Sequence, residues 1–431
     1  MAQVTDRSST SKHPAAPTNN LRLLDLTRVA PEAGVNRLID RAVELRASDL
    51  FIVTNEQHVA VQVRLRGQIE QLAILDAEQG KKFIARIRHQ AGMDVSDHRR
   101  PHDGRWIFET DSRTVDLRIN LLPTLHGDDL AIRLLDRDAN LLSLDRLGMT
   151  ARQLDVYRPV LNEPGGMVLL TGPTGSGKTV TLYASLAHLN DGKRKIHTIE
   201  DPIEYAVEGL RQSAVNDGIH LGPAELMRGV LRQAPDAVMV GEVRDEEIAK
   251  TGVWAANSGV LMLSTIHAAS AAGAVQSLRG FNLAPAFAAS ALRAAVSQRL
   301  LRTLCPACQE LDEDGHGADV QRMMGEIKSF LPGANVGARY SAKGCDACHQ
   351  TGYAGCTAVY EVMPVTDALR DLIVAGASTK DIHARAVKEG MLTLRQAALL
   401  KVAQGRTTME EVRRAVPDIT PADLMAAAAA A

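Results

Sequence analysis

The sequence predicts an α/β protein: a mostly parallel sheet with helices on both faces, preceded by a smaller α+β domain. Three observations carry that expectation. Short apolar runs at 168–170, 196–199, 237–240 and 261–265 alternate with longer helical stretches, as in strands joined by crossover helices. The first of these runs leads into a glycine-rich stretch, GPTGSGKT, at 172–179, after which a helical pattern resumes. Upstream, helical and alternating segments succeed one another in a different order and close near Asp138.

Residues 1–20 are rich in Ser, Thr, Pro and Asn and predict a disordered segment. Apolar residues at Val35, Leu38, Ile39, Ala42, Val43 and Leu45 fall close to helical spacing. Strands are expected at 51–53 and 59–66, the second alternating apolar and polar, with Gly67 marking a turn. A helix is expected at 81–90 and strands at 106–108, 115–119 and 130–135. This gives an N-terminal α+β domain at 21–140 and a nucleotide-type core at 141–300. A cysteine module at 301–356, a C-terminal helical region at 357–416 and a low-complexity tail at 417–431, ending in alanines, complete the expected organisation.

GPTGSGKT matches the phosphate-binding pattern G-x-x-x-x-G-K-[ST] between a strand and a helix. Gly172, Gly175 and Gly177 permit backbone conformations that turn N–H groups towards phosphate oxygens. The helix N-terminus adds partial positive charge at the same point. Pro173, Thr174, Ser176 and Val180 complete the cradle; Lys178 would reach the β- and γ-phosphates and Thr179 would ligate Mg2+. The expected ligands are therefore ATP and Mg2+. An acid must also orient the attacking water. In DAVMVGEVRD, 236–245, an apolar strand delivers Glu242 at its C-terminal end, the edge where open α/β sheets bind ligands. In IEDPIE, 199–204, Glu200, Asp201 and Glu204 cluster after another strand, which calls for a nearby cation such as Mg-ATP supplies. His267 ends the strand-like run LSTIH and is placed to donate a hydrogen bond to a γ-phosphate.

Four of the five cysteines form two C-x-x-C pairs, Cys305/Cys308 and Cys345/Cys348. Two such pairs complete a tetrahedral S4 site suited to Zn2+, and four protein ligands make it structural. The segment 309–344 would be an excursion closed at its base by the metal. His316 and His349 are bystanders in this reading.

Together these blocks resemble the secretion ATPase superfamily, specifically the type II secretion and type IV pilus assembly ATPases. GPTGSGKT resembles its Walker A loop and HTIEDPIE, 197–204, its Asp box. VMVGEVRD, 238–245, resembles its glutamate-type Walker B and LSTIHA, 263–268, its His box. Upstream, ASDL at 47–50, RRPHDGR at 99–105 and DLRINLLPTLHGDDLAIRLL at 116–135 resemble the family's second N-terminal domain. The resemblance runs from about Val35 to Arg414. It implies a RecA-like ATPase core, an upstream PAS-like α+β domain and the zinc insertion of the extension branch. It also implies that Arg118 and Arg133 approach the γ-phosphate as the domains close. The activity implied is ATP hydrolysis by a homohexamer that powers a pilus or pseudopilus through an inner-membrane platform protein. Arg66, Ala234 and Cys356 depart from the family pattern.

The rivals are a retraction-type pilus motor, against which the cysteine module argues, a nucleotide-gated scaffold that binds ATP but barely turns it over, and a DNA-translocating motor. Net charge of −2 and 3% aromatic residues give neither a basic field nor stacking platforms for nucleic acid. No long apolar run and no signal-peptide core are present, so the expected location is cytoplasmic, peripheral at the inner membrane through partners.

Overall fold

The computed structural model describes residues 21–65, 67–110, 114–136, 143–311, 325, 327–328 and 340–416. The N-terminal segment 1–20, Arg66, His316 with most of the excursion between the cysteine pairs, and the tail 417–431 lie outside the described residues. Contacts divide the chain into two units, Met1–Arg137 and Asp138–Ala431.

In the first unit, helix α1 (Pro31–Glu44) precedes strands β1 (Asp49–Thr54), β2 (His58–Leu65) and β3 (Gln68–Asp76). Helix α2 (Ala77–Gln90) then leads to β4 (His102–Glu109), β5 (Thr114–Thr124) and β6 (Gly127–Asp136). The strands form one antiparallel sheet in the order β3-β2-β1-β6-β5-β4. Val35, Leu38, Ile39 and Ala42 of α1 and Phe83 and Ile87 of α2 are buried in a single core with alternate residues of the strands. Strand β3 is not among the sequence expectations. A register shift between Val61 and Gln62 breaks its pairing with β2, so its apolar residues do not alternate cleanly. Helix α2 also begins four residues earlier than expected, because the Asp76 side chain caps it by accepting from the Gln79 N–H at 2.7 Å.

The second unit contains α3 (Ala151–Leu161), β7 (Gly166–Thr171), α4 (Lys178–Leu189), β8 (Ile196–Glu200), β9 (Arg211–Ala214) and α5 (Pro223–Leu231). It continues through β10 (Ala237–Val240), α6 (Glu246–Asn257), β11 (Leu261–Ile266), α7 (Ala271–Arg279), α8 (Pro285–Ala291) and β12 (Leu292–Leu304). A short ribbon, β13 (Gln309–Leu311) with β14 (Tyr340–Ala342), precedes β15 (Tyr353–Pro364). The main sheet runs β15-β12-β7-β11-β10-β8-β9, parallel except for β15. Its central strands are buried on both faces. Met167 and Leu169 enter the core beneath α6, α7 and α8, whereas Val168 and Leu170 enter the core with α3 and α4. That two-sided burial explains the continuous apolar runs in the sequence.

Periodicity marks four strands of this sheet, and the structure adds β9, β12 and β15. Strand β12 carries Ser297, Gln298, Arg299 and Arg302 among its apolar residues, and β15 lies in a segment expected to be helical beyond residue 356. Pairing of these two strands from Ala294↔Pro364 to Leu304↔Tyr353 makes them mutually dependent, a long-range choice that local pattern does not encode. Helices Leu394–Ala403 and Met409–Ala415 pack on Leu301 and Val359. No helix among the described residues is long and apolar enough to cross a membrane.

Candidate functional site

The turns after β7, β8, β10 and β11 lie together at the C-terminal edge of the parallel strands. After β7, Gly172, Gly175 and Gly177 all have positive φ, at 150°, 76° and 85°. At Gly175 nothing would obstruct a Cβ, so its backbone angle alone demands glycine; at Gly172 a Cβ would stand 2.6 Å from the Gln298 carbonyl oxygen. Gly177 caps α4, whose first residue is Lys178. Pro173, Thr174, Thr179 and Val180 are exposed, and Ser176 is buried. Lys178 Nζ donates to the carbonyls of Gly172 and Pro173 at 2.8 and 3.1 Å. Burial holds its pKa below the usual lysine value, the Arg299 charge lowers it further, and Glu242 opposes both.

Glu242 stands two residues beyond β10, largely buried, and its two oxygens have separate partners. Oε1 lies 2.6 Å from Nε2 of the exposed His267, and Oε2 accepts from Arg244 Nε at 2.7 Å. Arg244 also reaches Asp201 at 3.2 Å. Its hydrogen bond to Glu242 raises its pKa above the usual arginine value, against the cost of burial. The structure thus joins Glu242 directly to His267, both of which the sequence singles out, and adds Arg244, which it does not, as a link from Glu242 to Asp201. The signal for Arg244 was its place two residues after Glu242 on the same turn.

Glu200 departs from its expected setting. It ends β8 with only 4% of its surface exposed. One oxygen accepts from Thr198 Oγ1 at 2.6 Å and from Gln212 Nε2 at 3.1 Å; the other accepts from the Tyr183 hydroxyl. These are neutral donors from β8, β9 and α4, so Glu200 binds the sheet to the helix that follows the phosphate loop. The physical reason is its place: Glu200 is the last residue of a strand buried on both faces, and the next residue, Asp201, lies beyond the strand and is exposed.

Arg118 and Arg133 belong to the first unit and lie directly opposite one another on β5 and β6. Arg105 is opposite Arg118, Asp49 is opposite Arg133, and Arg64 is opposite Asp49. Four arginines and one aspartate therefore form a row across five strands. Asp49 lies 3.5 Å from Arg133 and 3.3 Å from Arg64, while Arg105 pairs with the buried Asp116. Like charges opposite one another are unfavourable in a sheet, and Asp49 and Asp116 offset part of that cost at Arg64, Arg133 and Arg105. Arg64 and Arg105 were not singled out as site residues, because register is invisible in one strand's sequence.

The four cysteines converge. All their sulfurs lie within 4.8 Å of one another. The Cys305–Cys345, Cys308–Cys348 and Cys345–Cys348 pairs stand 3.9, 3.7 and 3.8 Å apart. Tetrahedral thiolates at the Zn–S distance of about 2.3 Å would be separated by about 3.8 Å, so the donor set and its spacing fit such an ion. The N–H groups of Cys345 and Gly352 both donate to Cys348 Sγ at 3.2 Å, support of the kind that orients a ligating thiolate. The β13–β14 ribbon rises from this knuckle. Cys356 is exposed on β15, opposite Arg302, apart from the tetrad.

Comparison with known proteins follows the same outline. The family described as type II/IV secretion system protein matches residues 28–414. The type II secretion system ATPase E of Vibrio cholerae is 39% identical over 383 residues, 88% of this chain and 74% of that protein. The type IV pilus assembly ATPase PilB of Myxococcus xanthus is 37% identical over 395 residues, 90% of this chain and 69% of that protein. Among solved structures, the Legionella pneumophila ATPase DotB superposes with a TM-score of 0.67 at 19% identity, covering 92% of this chain and 99% of that one. At that identity the likeness concerns the fold.

Proposed function

Because the chain belongs to the type II/IV secretion system protein family, we propose that it is an ATPase that powers assembly of a type IV pilus or a type II secretion pseudopilus. The observation that carries this reading is the coupling of Glu242 to His267 and Arg244 at the sheet edge that also bears the phosphate loop. The loop backbone at 172–177 and Lys178 hold the triphosphate, Lys178 exchanging the carbonyls of Gly172 and Pro173 for phosphate oxygens. Thr179 would hold Mg2+, which would supply positive charge to the phosphates when bound. Glu242 orients the attacking water and takes its proton as the γ-phosphorus–oxygen bond to ADP breaks. His267 and Arg244 fix the rotamer of that carboxylate. Glu200 supports the site from behind α4 rather than touching the nucleotide.

Arg118 and Arg133 supply guanidinium charge to the transferring phosphoryl group, and the cysteine tetrad holds a structural Zn2+. The working form is a cytoplasmic homohexamer at the inner membrane, acting on a platform protein of the machine. Steady-state ATP hydrolysis tests the reading. Lys178→Ala and Glu242→Gln are each expected to lower kcat about 10²–10⁴-fold, with Glu242→Gln still binding Mg-ATP. Equal rates in all three proteins would overturn it.

A further inference from the structure

Arg299 is a cation beside the phosphate loop that the chemistry above leaves unused. It follows Gln298 on β12, the strand paired in parallel with β7. Gln298 is fully buried and its side chain donates to the Ser176 carbonyl at 2.7 Å. Its carbonyl oxygen sits against Gly172, in the close approach that excludes a Cβ there. Arg299 Nη1 donates to that same carbonyl at 2.9 Å, and Nη2 donates to the Ala269 carbonyl at 3.0 Å. Ala269 lies two residues beyond His267, so one half-buried guanidinium ties the strand beside the phosphate loop to the segment that carries His267.

The partners of this guanidinium are two backbone carbonyls; among the described residues it makes no carboxylate ion pair. The acid whose charge it feels is Glu361, a buried residue of β15 whose Oε1 instead accepts the N–H of Ala271, the first residue of α7, at 2.8 Å. Burial depresses the pKa of Arg299, with Glu361 opposing, and the charge of Arg299 is in turn felt at Lys178. Two half-buried cations this close repel one another, and a polyphosphate placed between them would relieve the repulsion. A planar guanidinium suits that task because its fork can exchange two carbonyl oxygens for two phosphate oxygens, giving stronger, charge-assisted bonds.

We propose that Arg299 binds the terminal phosphates of the nucleotide from the β12 side of the loop, and that exchanging its carbonyl partners for phosphate oxygens releases the segment carrying His267. This rests on the ATP reading above. The test compares wild type, Arg299→Gln, Arg299→Lys and Lys178→Ala by calorimetric titration with Mg-ATP and Mg-ADP, together with steady-state hydrolysis and thermal unfolding. Arg299→Gln is expected to raise KM and Kd for ATP about tenfold, from the loss of charge-assisted bonds, with a smaller effect on ADP and kcat changed less than about threefold. Arg299→Lys keeps the charge but not the fork and is expected to recover part of the affinity for ATP. Wild-type affinity in both Arg299 variants, with binding lost in Lys178→Ala, would overturn the role of Arg299 and leave the ATP reading standing. Equal loss of ATP and ADP affinity in both variants, with a lowered unfolding temperature, would assign Arg299 a structural role and overturn it as well. Failure of the wild type to bind Mg-ATP would overturn both.

Discussion

The cysteine tetrad and the phosphate-loop edge of the sheet are both clusters of reactive side chains, yet their internal contacts differ in kind. The four sulfurs already stand at distances an S4 ion requires, and backbone N–H groups support them. At the sheet edge, Lys178 is bonded to carbonyls of its own loop, Glu242 is held by His267 and Arg244, and Arg299 rests on two carbonyls. The first cluster needs one ion and then nothing more. The second is held by contacts that a triphosphate can replace, as a site that must bind and release in every cycle requires. A closed ligand set suits structure, and a set of exchangeable partners suits turnover.

The sharpest way to break this comparison is at the cysteines. Purified, reduced protein is expected to carry one zinc per chain by elemental analysis, and Cys348→Ser to carry essentially none, with a lowered unfolding temperature. Metal-free wild type with unchanged thermal stability would remove the structural role. A smaller effect is expected at His267. Replacing it with alanine frees one oxygen of Glu242 and should lower kcat about tenfold while leaving the Kd for ATP nearly unchanged, since a misplaced catalytic group costs rate more than binding. A loss matching that of Glu242→Gln would make His267 a participant in the chemistry rather than a positioning residue. The smallest effect on rate is expected at Glu200. Glu200→Gln should cost about 1–3 kcal/mol of stability through its buried donors, with kcat within about threefold of wild type. A rate loss of about a hundredfold at unchanged unfolding temperature would return Glu200 to the catalytic group.

Much of this contrast was legible in the residues themselves. The phosphate loop is written locally, because glycines at 172, 175 and 177 are needed for positive φ and the lysine and threonine follow at set positions. The paired cysteines are local as well, since two residues between thiolates suffice to chelate one ion. The apolar runs before Gly172, Asp201, Glu242 and His267 mark the central strands, because burial on both faces makes them continuous. Two neighbouring strands at one side of the sheet were harder to read. Strands β12 and β15 carry polar residues and depend on one another for pairing, so neither declares itself alone. The setting of Glu200 was hard to read for a related reason: a carboxylate at the end of a strand looks available until its inward direction and the Tyr183, Thr198 and Gln212 donors are seen.

The sequence by itself determined the backbone of the phosphate loop, the metal-type spacing of the cysteines and the α/β alternation. Each depends on residues within a few positions of one another, where covalent geometry and steric limits on φ and ψ leave little choice. Tertiary structure alone decided which carboxylates face the nucleotide edge, that Arg64, Arg118, Arg133 and Arg105 share one row, and that Arg299 reaches the segment after His267. Those outcomes depend on strand register and inward or outward direction, set by the packing of segments far apart in the chain.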